Sequence, residues 1–221
     1  MKNTAIYFTV IFCAFFIRKG MAQPSVDFRT GLGVSYSLIG FEENKSLTDG
    51  LLQYSIGAGL DLYKKEGNYV RAELQLARRG YSYKIKNYFD KPKIRARLPI
   101  IYLQFNTYFQ KKLNLLYKKR KNKKKSVHAL FGGFIAGRLK SKWRYSGQTT
   151  ADNSKINNID AGLIIGIKYQ KRLPRKNIIG MDFRYSHSLT NILDHPFNTG
   201  YLRSFEVGLF YKISAKKKKK K

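Results

Sequence analysis

The sequence predicts an all-β protein, an eight-stranded antiparallel transmembrane β-barrel. Eight runs of the chain alternate between two kinds of residue with a period of two, which is typical of strands whose two faces meet different environments. One face of each run is apolar, while the other is enriched in glycine, charged and amide side chains. No apolar run of about 18 or more residues is present that would predict a transmembrane helix instead.

The clearest run spans residues 158–170 and reads NIDAGLIIGIKYQ. Its odd-numbered residues from Ile159 to Tyr169 are apolar, whereas its even-numbered residues mix glycine with Asp160 and Lys168. A tilted strand needs about 9–11 residues to cross a bilayer, so this run is long enough to span one.

Four runs precede it in the first part of the chain, at 25–38, 51–63, 69–79 and 98–110. The connection KKEGN at 64–68 is typical of a short hairpin, and Pro99 lies at the start of its run, where a missing backbone donor is tolerable. The segments 40–50 and 80–96 are predicted to be polar loops.

The remaining runs are 128–139, 177–189 and 201–213. They are joined by a lysine-rich connection at 111–125, a polar loop at 140–157, the turn KRLPRK at 171–176 and a loop at 190–200. These connections are short enough for antiparallel neighbours, and the number of runs is even.

Closure into a barrel follows from the apolar face. An open sheet with such a face would need a covering layer, and the sequence offers no amphipathic helix to supply one. Closure removes both sheet edges and leaves the apolar face for lipid. A soluble lipocalin-like barrel, with the apolar face inward, is the alternative. It is disfavoured because the narrow interior of an eight-stranded barrel is where glycine is needed.

The first 22 residues are typical of a secretory signal peptide. Lys2 precedes an apolar segment at 5–17, and Gly20-Met21-Ala22 places small residues before a cleavage site at Gln23. An apolar N-terminal strand or anchor is the alternative. We expect residues 23–215 to form the barrel domain and 216–221, all lysine, to form a tail. Removal of Cys13, the only cysteine, would leave no disulfide or thiolate metal ligand.

Ionisable residues on the glycine-rich faces are balanced, with six acids and six bases. Because an unpaired charge inside a barrel would be very unfavourable, we expect them to pair as a charge network in the lumen. Two interpretations remain open: a charge-paired plug that fills the barrel, and a gated ion path through rearranging pairs. The predicted members are Asp27, Asp61, Glu73, Asp160, Asp182, Glu206, Arg29, Arg71, Arg138, Lys168, Arg184 and Lys212.

The formal charge of +31 is unevenly distributed. If both termini are periplasmic, the connections at 64–66, 111–125 and 171–176 and the tail carry a net +20, against +4 for the opposite loops. Beside the bilayer, such a basic side could bind anionic lipid, peptidoglycan or acidic envelope proteins, or be an unselective solvated surface. Nucleic acid is not predicted as a partner, because the signal peptide and the membrane-length strands argue against it.

Support for catalysis or a cofactor is weak. His187 lies between Ser186 and Ser188, and some barrel lipid A deacylases use histidine and serine on a lipid-facing strand, but no acid is placed to orient the imidazole. The pair Asp194-His195 is too small for a metal site. We therefore predict a non-enzymatic protein without a cofactor.

Four segments of the chain are similar to a known family. They are 98–102 (LPIIY), 132–137 (GGFIAG), 160–163 (DAGL) and 184–190 (RYSHSLT). With them the chain resembles the small outer-membrane β-barrel family of Bacteroidetes, named for PorT, a component of gliding and protein-secretion machinery. The resemblance implies an outer-membrane location and a structural or scaffolding role in an envelope assembly. Arg95, Arg97 and the lysine tail depart from the family pattern.

Overall fold

The computed structural model describes residues 25–41, 44–47, 49–65, 67–85, 94–113, 125–141, 143–145, 148–150, 156–174, 177–193 and 199–214. The predicted signal peptide, the lysine tail and the pair Asp194-His195 lie outside the described residues and stay predictions. Among the described residues, no helix is long and apolar enough to cross a membrane.

Within the described ranges, eleven strands form a single antiparallel sheet. Three are short additions beyond the ends of the long ones: β2, β7 and β8. The strands are β1 (Ser25–Phe41), β2 (Asn44–Leu47), β3 (Leu51–Lys65), β4 (Asn68–Ile85), β5 (Ile94–Lys112), β6 (Lys125–Ser141), β7 (Trp143–Tyr145), β8 (Gln148–Thr150), β9 (Ile159–Arg172), β10 (Ile178–Ser188) and β11 (Thr199–Ser214).

The eight long strands close into a barrel, which confirms the predicted fold class. Each pairs with its neighbours in the order β1, β3, β4, β5, β6, β9, β10 and β11. The first and last strands then pair from Ser25 with Ser214 to Gly40 with Thr199. We call the end of the barrel at which Ser25 and Ser214 lie the terminal end, and the other the loop end.

The two faces of the strands meet opposite environments, as the alternation predicts. Outward-facing apolar side chains are exposed around the barrel, for example Ile167 at 53 % and Leu209 at 58 %. Inward-facing charged side chains are buried, with Asp182 at 0 % and Lys168 at 2 %. An apolar exterior around a polar interior is the arrangement that lipid requires and that a lipocalin-like barrel would reverse.

Several predicted loops are wrong because the strands extend further. In the segment 80–96, β4 continues to Ile85 and β5 begins at Ile94. In the same way, β2 lies within 40–50, and both β7 and β8 lie within 140–157. These extensions are rich in polar side chains, so the contrast between two faces that marks a membrane strand is missing. Their backbone pairing nevertheless continues beyond the barrel rim.

Candidate functional site in the barrel lumen

Ten of the twelve predicted charged residues lie together in the part of the lumen nearer the terminal end. They come from β1, β3, β4, β9, β10 and β11, because inward-facing positions of every strand meet in so narrow a barrel. All are buried except Glu206, which is partly buried. We call this set the charge network: Asp27, Arg29, Asp61, Arg71, Glu73, Lys168, Asp182, Arg184, Glu206 and Lys212.

Arg29 joins two acids from neighbouring strands. Its Nη2 lies 2.7 Å from Asp182 Oδ1, and its Nε donates to the same carboxylate at 3.1 Å. Its Nη1 donates to Glu206 and, at 3.1 Å, to Ser55 Oγ. Ser55 Oγ in turn donates to Glu206 at 2.7 Å. The guanidinium therefore bridges β10 and β11 through charge-assisted hydrogen bonds.

Arg184 lies at the centre of the network. Its two terminal nitrogens donate to the two carboxylate oxygens of Glu73 at 2.8 and 3.1 Å, a bidentate arrangement. They also donate to Tyr108 Oη at 2.8 Å and to Asp182 Oδ2 at 3.1 Å. Because β4 and β10 are far apart around the barrel, these bonds cross the lumen.

Arg71 holds the side nearest the terminal end. It pairs with Asp27, lies 3.1 Å from Asp61 Oδ1 and lies 3.8 Å from Glu73 Oε2. Lys212 also pairs with Asp61.

Lys168 completes this side from β9. Its Nζ lies 3.8 Å from Asp27 Oδ2 and 3.7 Å from the centre of the Phe210 ring. An ammonium over an aromatic face is stabilised by the ring quadrupole, and more so when desolvated. Each cation of the network therefore has an acid within ion-pair distance.

Two glycines make room for the guanidinium groups. A Cβ on Gly208 would lie 2.6 Å from Arg29 Cζ, and a Cβ on Gly59 would lie 2.8 Å from Arg71 Cζ. Both distances are too short for non-bonded carbon atoms. Glycine on the inward face is thus the counterpart of a buried arginine on a neighbouring strand.

Asp160 and Arg138 lie apart from the charge network. Asp160 accepts hydrogen bonds from Ser188 Oγ and Thr190 Oγ1, both at 2.9 Å, nearer the loop end. Arg138 is only partly buried and donates to Asn158 Oδ1 at 2.6 Å and to Ser141 Oγ at 3.1 Å. The alternation assigns Arg138 to the inward face but says nothing of its depth along the barrel axis. Arg138 lies near the loop end of β6 and is therefore outside the charge network.

Two buried basic residues were missed by the sequence analysis. Arg79 lies 3.7 Å from Asp160 Oδ2, with its guanidinium 4.6 Å from the centre of the Phe134 ring. His128 is 1 % exposed, and its ring meets Tyr69 edge to face at 5.5 Å. Both occupy inward-facing positions in the period-two alternation of their strands, odd-numbered on β4 and even-numbered on β6. That alternation was the signal that could have identified them.

The part of the lumen nearer the loop end also holds a cluster of buried apolar and aromatic side chains, which was not predicted from the sequence. Inward-facing side chains of the strands pack there with two residues from connections, Ile156 and Ile192. Backbone hydrogen bonds hold these connections at the mouth: Asn157 N donates to Ile192 O at 3.0 Å, and Ile192 N to Gly200 O at 2.8 Å. We call this set the apolar cluster: Tyr81, Leu98, Ile100, Tyr102, Tyr108, Phe134, Ala136, Ile156, Ile164, Ile192 and Leu202. Tyr108 is the member next to the charge network, since its hydroxyl accepts a hydrogen bond from Arg184.

His187 does not form a catalytic pair with its neighbouring serines. Its ring faces outward and stacks on Tyr185, with ring centres 6.5 Å apart. Ser186 hydrogen-bonds Ser204, and Ser188 donates to the buried carboxylate of Asp160. The two serines thus lie on the opposite face of β10. Within the described ranges, no group of three or more histidine, cysteine or acidic side chains is arranged to hold a metal ion.

Comparisons with known proteins agree with the barrel geometry. Residues 21–194 match the model of a family described as the outer membrane protein beta-barrel domain. No curated protein sequence matches the chain significantly.

Three solved structures are similar to the chain over nearly all of their own length. Ail, the attachment invasion locus protein of Yersinia pestis, crystallised with the heparin analogue sucrose octasulfate, has 16 % identity and a TM-score of 0.42, covering 87 % of this chain and 100 % of Ail. OprG from Pseudomonas aeruginosa has 12 % identity and a TM-score of 0.44, covering 90 % and 100 %. The outer membrane enzyme PagL has 12 % identity and a TM-score of 0.38, covering 86 % and 99 %.

Proposed function

Because the chain belongs to the outer membrane protein β-barrel domain family, we propose that it is a closed, non-enzymatic outer-membrane barrel with a structural or scaffolding role. The finer assignment, also a proposal, is to the PorT-like barrels of Bacteroidetes and to an envelope assembly such as a secretion or gliding complex. The motifs at 98–102, 132–137 and 184–190 support it.

The filled lumen is the observation that carries the proposal. Arg184 bonds Glu73 across the barrel, and farther along the axis the lumen holds the apolar cluster. Ions would meet first the ion pairs of the charge network and then the apolar cluster, beside which Arg79 lies 3.7 Å from Asp160. A protein filled in this way acts through its surfaces, which is how a scaffold works.

A narrow channel is the second candidate, favoured by one observation. Asp27 Oδ2 and Arg71 Nε are buried without a hydrogen-bond partner, so part of the network is not locked by hydrogen bonds. Rearrangement of such groups could open a path. A channel would also require the apolar cluster to move aside, and it is therefore the weaker candidate.

Against a lipid-modifying enzyme, the arrangement of β10 is the main argument. Because Ser186 and Ser188 face the lumen while His187 faces outward, the imidazole has neither serine within reach as a nucleophile.

The basic terminal end suggests how the barrel could be anchored. Exposed Lys125 on β6 lies directly opposite exposed Lys171 on β9. Like charges placed directly opposite each other are unfavourable without a counter-charge. Each Lys or Arg near an anionic membrane surface contributes roughly 1 kcal/mol of attraction. We infer that this end faces the periplasm and meets anionic lipid, peptidoglycan or acidic envelope proteins.

The proposal is tested by electrophoretic mobility and conductance measured together. We expect unheated protein from the outer-membrane fraction to migrate differently from boiled protein, since a closed barrel resists detergent until heated. We expect the purified barrel to give no conductance steps in planar bilayers. Asp182→Ala should lower the temperature at which the band shifts. Bilayers containing this variant should still show no conductance steps. The matched control is Lys171→Gln, a substitution of an exposed residue on β9.

Two results would contradict it. Discrete conductance of the wild-type barrel, increased by Asp182→Ala, would establish a gated channel. Recovery of the protein in the soluble fraction, without a band shift, would contradict its assignment as a membrane barrel.

A further inference from the structure

Two basic side chains face the lipid side by side near the loop end. Arg203 on β11 and His187 on β10 are direct cross-strand partners, and both are partly buried. Arg203 Nε and His187 Nδ1 are enclosed without a hydrogen-bond partner, and neither side chain is paired with an acid among the described residues. A buried polar atom without a hydrogen-bond partner is unfavourable. The pair therefore lacks an anionic acceptor.

The position of Arg203 along the barrel indicates where that acceptor lies. On the outward face of β11, Arg203 is followed by an uninterrupted apolar and aromatic stripe that ends at Ile213. These ten steps span about 33 Å along the strand, or about 25 Å along the membrane normal at a tilt of about 40°. That is roughly the height of the apolar band of an outer-membrane barrel. Arg203 thus lies where hydrocarbon meets head groups.

Aromatic rings surround the pair. Tyr185 stacks on His187 at 6.5 Å with an interplanar angle of 15°, and it contacts Phe205 at 4.9 Å. Tyr36, the partner of Arg203 on β1, stacks on Phe205 at 6.2 Å. Aromatic side chains of this kind are typical of the membrane interface. We call these five residues the Arg203 patch.

We propose that the Arg203 patch binds the phosphate group of a membrane lipid. The guanidinium presents a planar fork that matches two phosphate oxygens, and the imidazole can donate a third hydrogen bond from Nε2. The rings of Tyr185 and Phe205 then pack against the first part of the acyl chains. The occupant is a lipid rather than a soluble anion, because the patch opens sideways onto the apolar belt. This inference concerns the outer surface and does not depend on whether the lumen conducts.

Arg78 provides a matched control on the other side of the barrel. It also faces outward near the loop end, on β4, with its guanidinium carbon 5.6 Å from the centre of the Tyr54 ring. Its cross-strand partners are Tyr54 and Ile101, so no second basic residue stands opposite it. Loss of Arg78 removes the same charge from the same end without touching the patch.

The test is native mass spectrometry of the folded full-length barrel, delipidated in a neutral detergent and titrated with dioleoylphosphatidic acid. Dioleoylglycerol, which has the same chains and no phosphate, is the control lipid. We expect the wild type to bind the phosphate lipid selectively. We expect Arg203→Gln to weaken this binding about tenfold, and His187→Gln to weaken it less, since a charge-assisted hydrogen bond is roughly twice as strong as a neutral one. Arg78→Gln should bind like the wild type.

Each variant is first checked for a heat-dependent band shift, so that only folded barrels are compared. Should Arg203→Gln not fold, Arg203→Lys, which keeps the charge but loses the fork, and His187→Gln decide the question. Equal binding of the two lipids by the wild type would overturn the proposal. So would equal loss in Arg78→Gln and the patch variants, or complete release of the lipid by excess inorganic phosphate.

Discussion

The two parts of the lumen are filled by opposite chemistry. Nearer the terminal end, Arg29, Arg71 and Arg184 pair with acids from other strands. Nearer the loop end, Leu98 and Ile100 are fully buried in the apolar cluster. The charged part depends on direction and pairing, whereas the apolar part depends on volume and shape. The difference teaches that one lumen can be filled in two ways, by ion pairs and by apolar packing. Substitutions in the two parts should therefore destabilise the barrel in different ways.

The largest expected effect is the loss of the central cation. Arg184→Ala removes the bidentate partner of buried Glu73 and one of the two arginines that bond Asp182, so we expect the free energy of unfolding to fall by about 3–5 kcal/mol. Urea unfolding of the barrel in lipid vesicles, followed by the band shift, measures this. The matched control is Lys171→Gln, for which we expect a change within about 0.5 kcal/mol. A loss no larger than the control's would show that these ion pairs add little stability.

A cavity in the apolar part should have a somewhat smaller effect. Leu98→Ala removes a fully buried side chain, and we expect a loss of about 2–5 kcal/mol, with the lower half favoured because the mouth connections can relax. The same unfolding assay measures it. Leu209→Ala, on the lipid-facing surface of β11, is the control and should change the stability less. Equal losses for the two leucines would contradict a packed apolar cluster.

Gly208→Ala tests the space around a guanidinium. The added methyl group would lie too close to Arg29 and push it away from Asp182 and Glu206, so we expect a loss of about 1–3 kcal/mol. Gly137→Ala is the matched control, because no atom lies within 4 Å of its added Cβ. A neutral Gly208→Ala would show that Arg29 can move without losing its partners.

The smallest effect is the coupling between the two parts. Leu98 lies near the loop end, and its apolar side chain forms no hydrogen bond or ion pair, so Arg184→Ala and Leu98→Ala should add within about 0.5 kcal/mol. Within the network, Arg184→Ala and Glu73→Ala should instead couple by about 0.5–3 kcal/mol. Both cycles use the same unfolding assay. Strong coupling across the two parts would mean that the lumen is one cooperative unit.

The sequence predicts the barrel and the inward face of its charges because both depend on a local pattern. Asp182 and Arg184 can be assigned to the lumen by parity alone once the period of two is recognised. The pairing of Arg184 with Glu73 cannot, since it joins strands that are distant in the chain. The apolar cluster could be predicted only in part. Phe134 and Ile164 occupy inward-facing positions of their strands, whereas Ile156 and Ile192 come from connections, where no alternation marks the direction of a side chain.

The pairing of β1 with β11 has a consequence for the order of assembly. Arg29 meets Asp182 and Glu206, which are 153 and 177 residues later in the chain, and Asp61 meets Lys212 after 151 residues. These pairs cannot form until the last strand has been synthesised and docked, and contacts of such long range form slowly. Arg29 and Asp61 therefore lack these long-range partners while the barrel is open. Ring closure, dehydration and neutralisation coincide, so a chain lacking its last strand cannot bury its lumen.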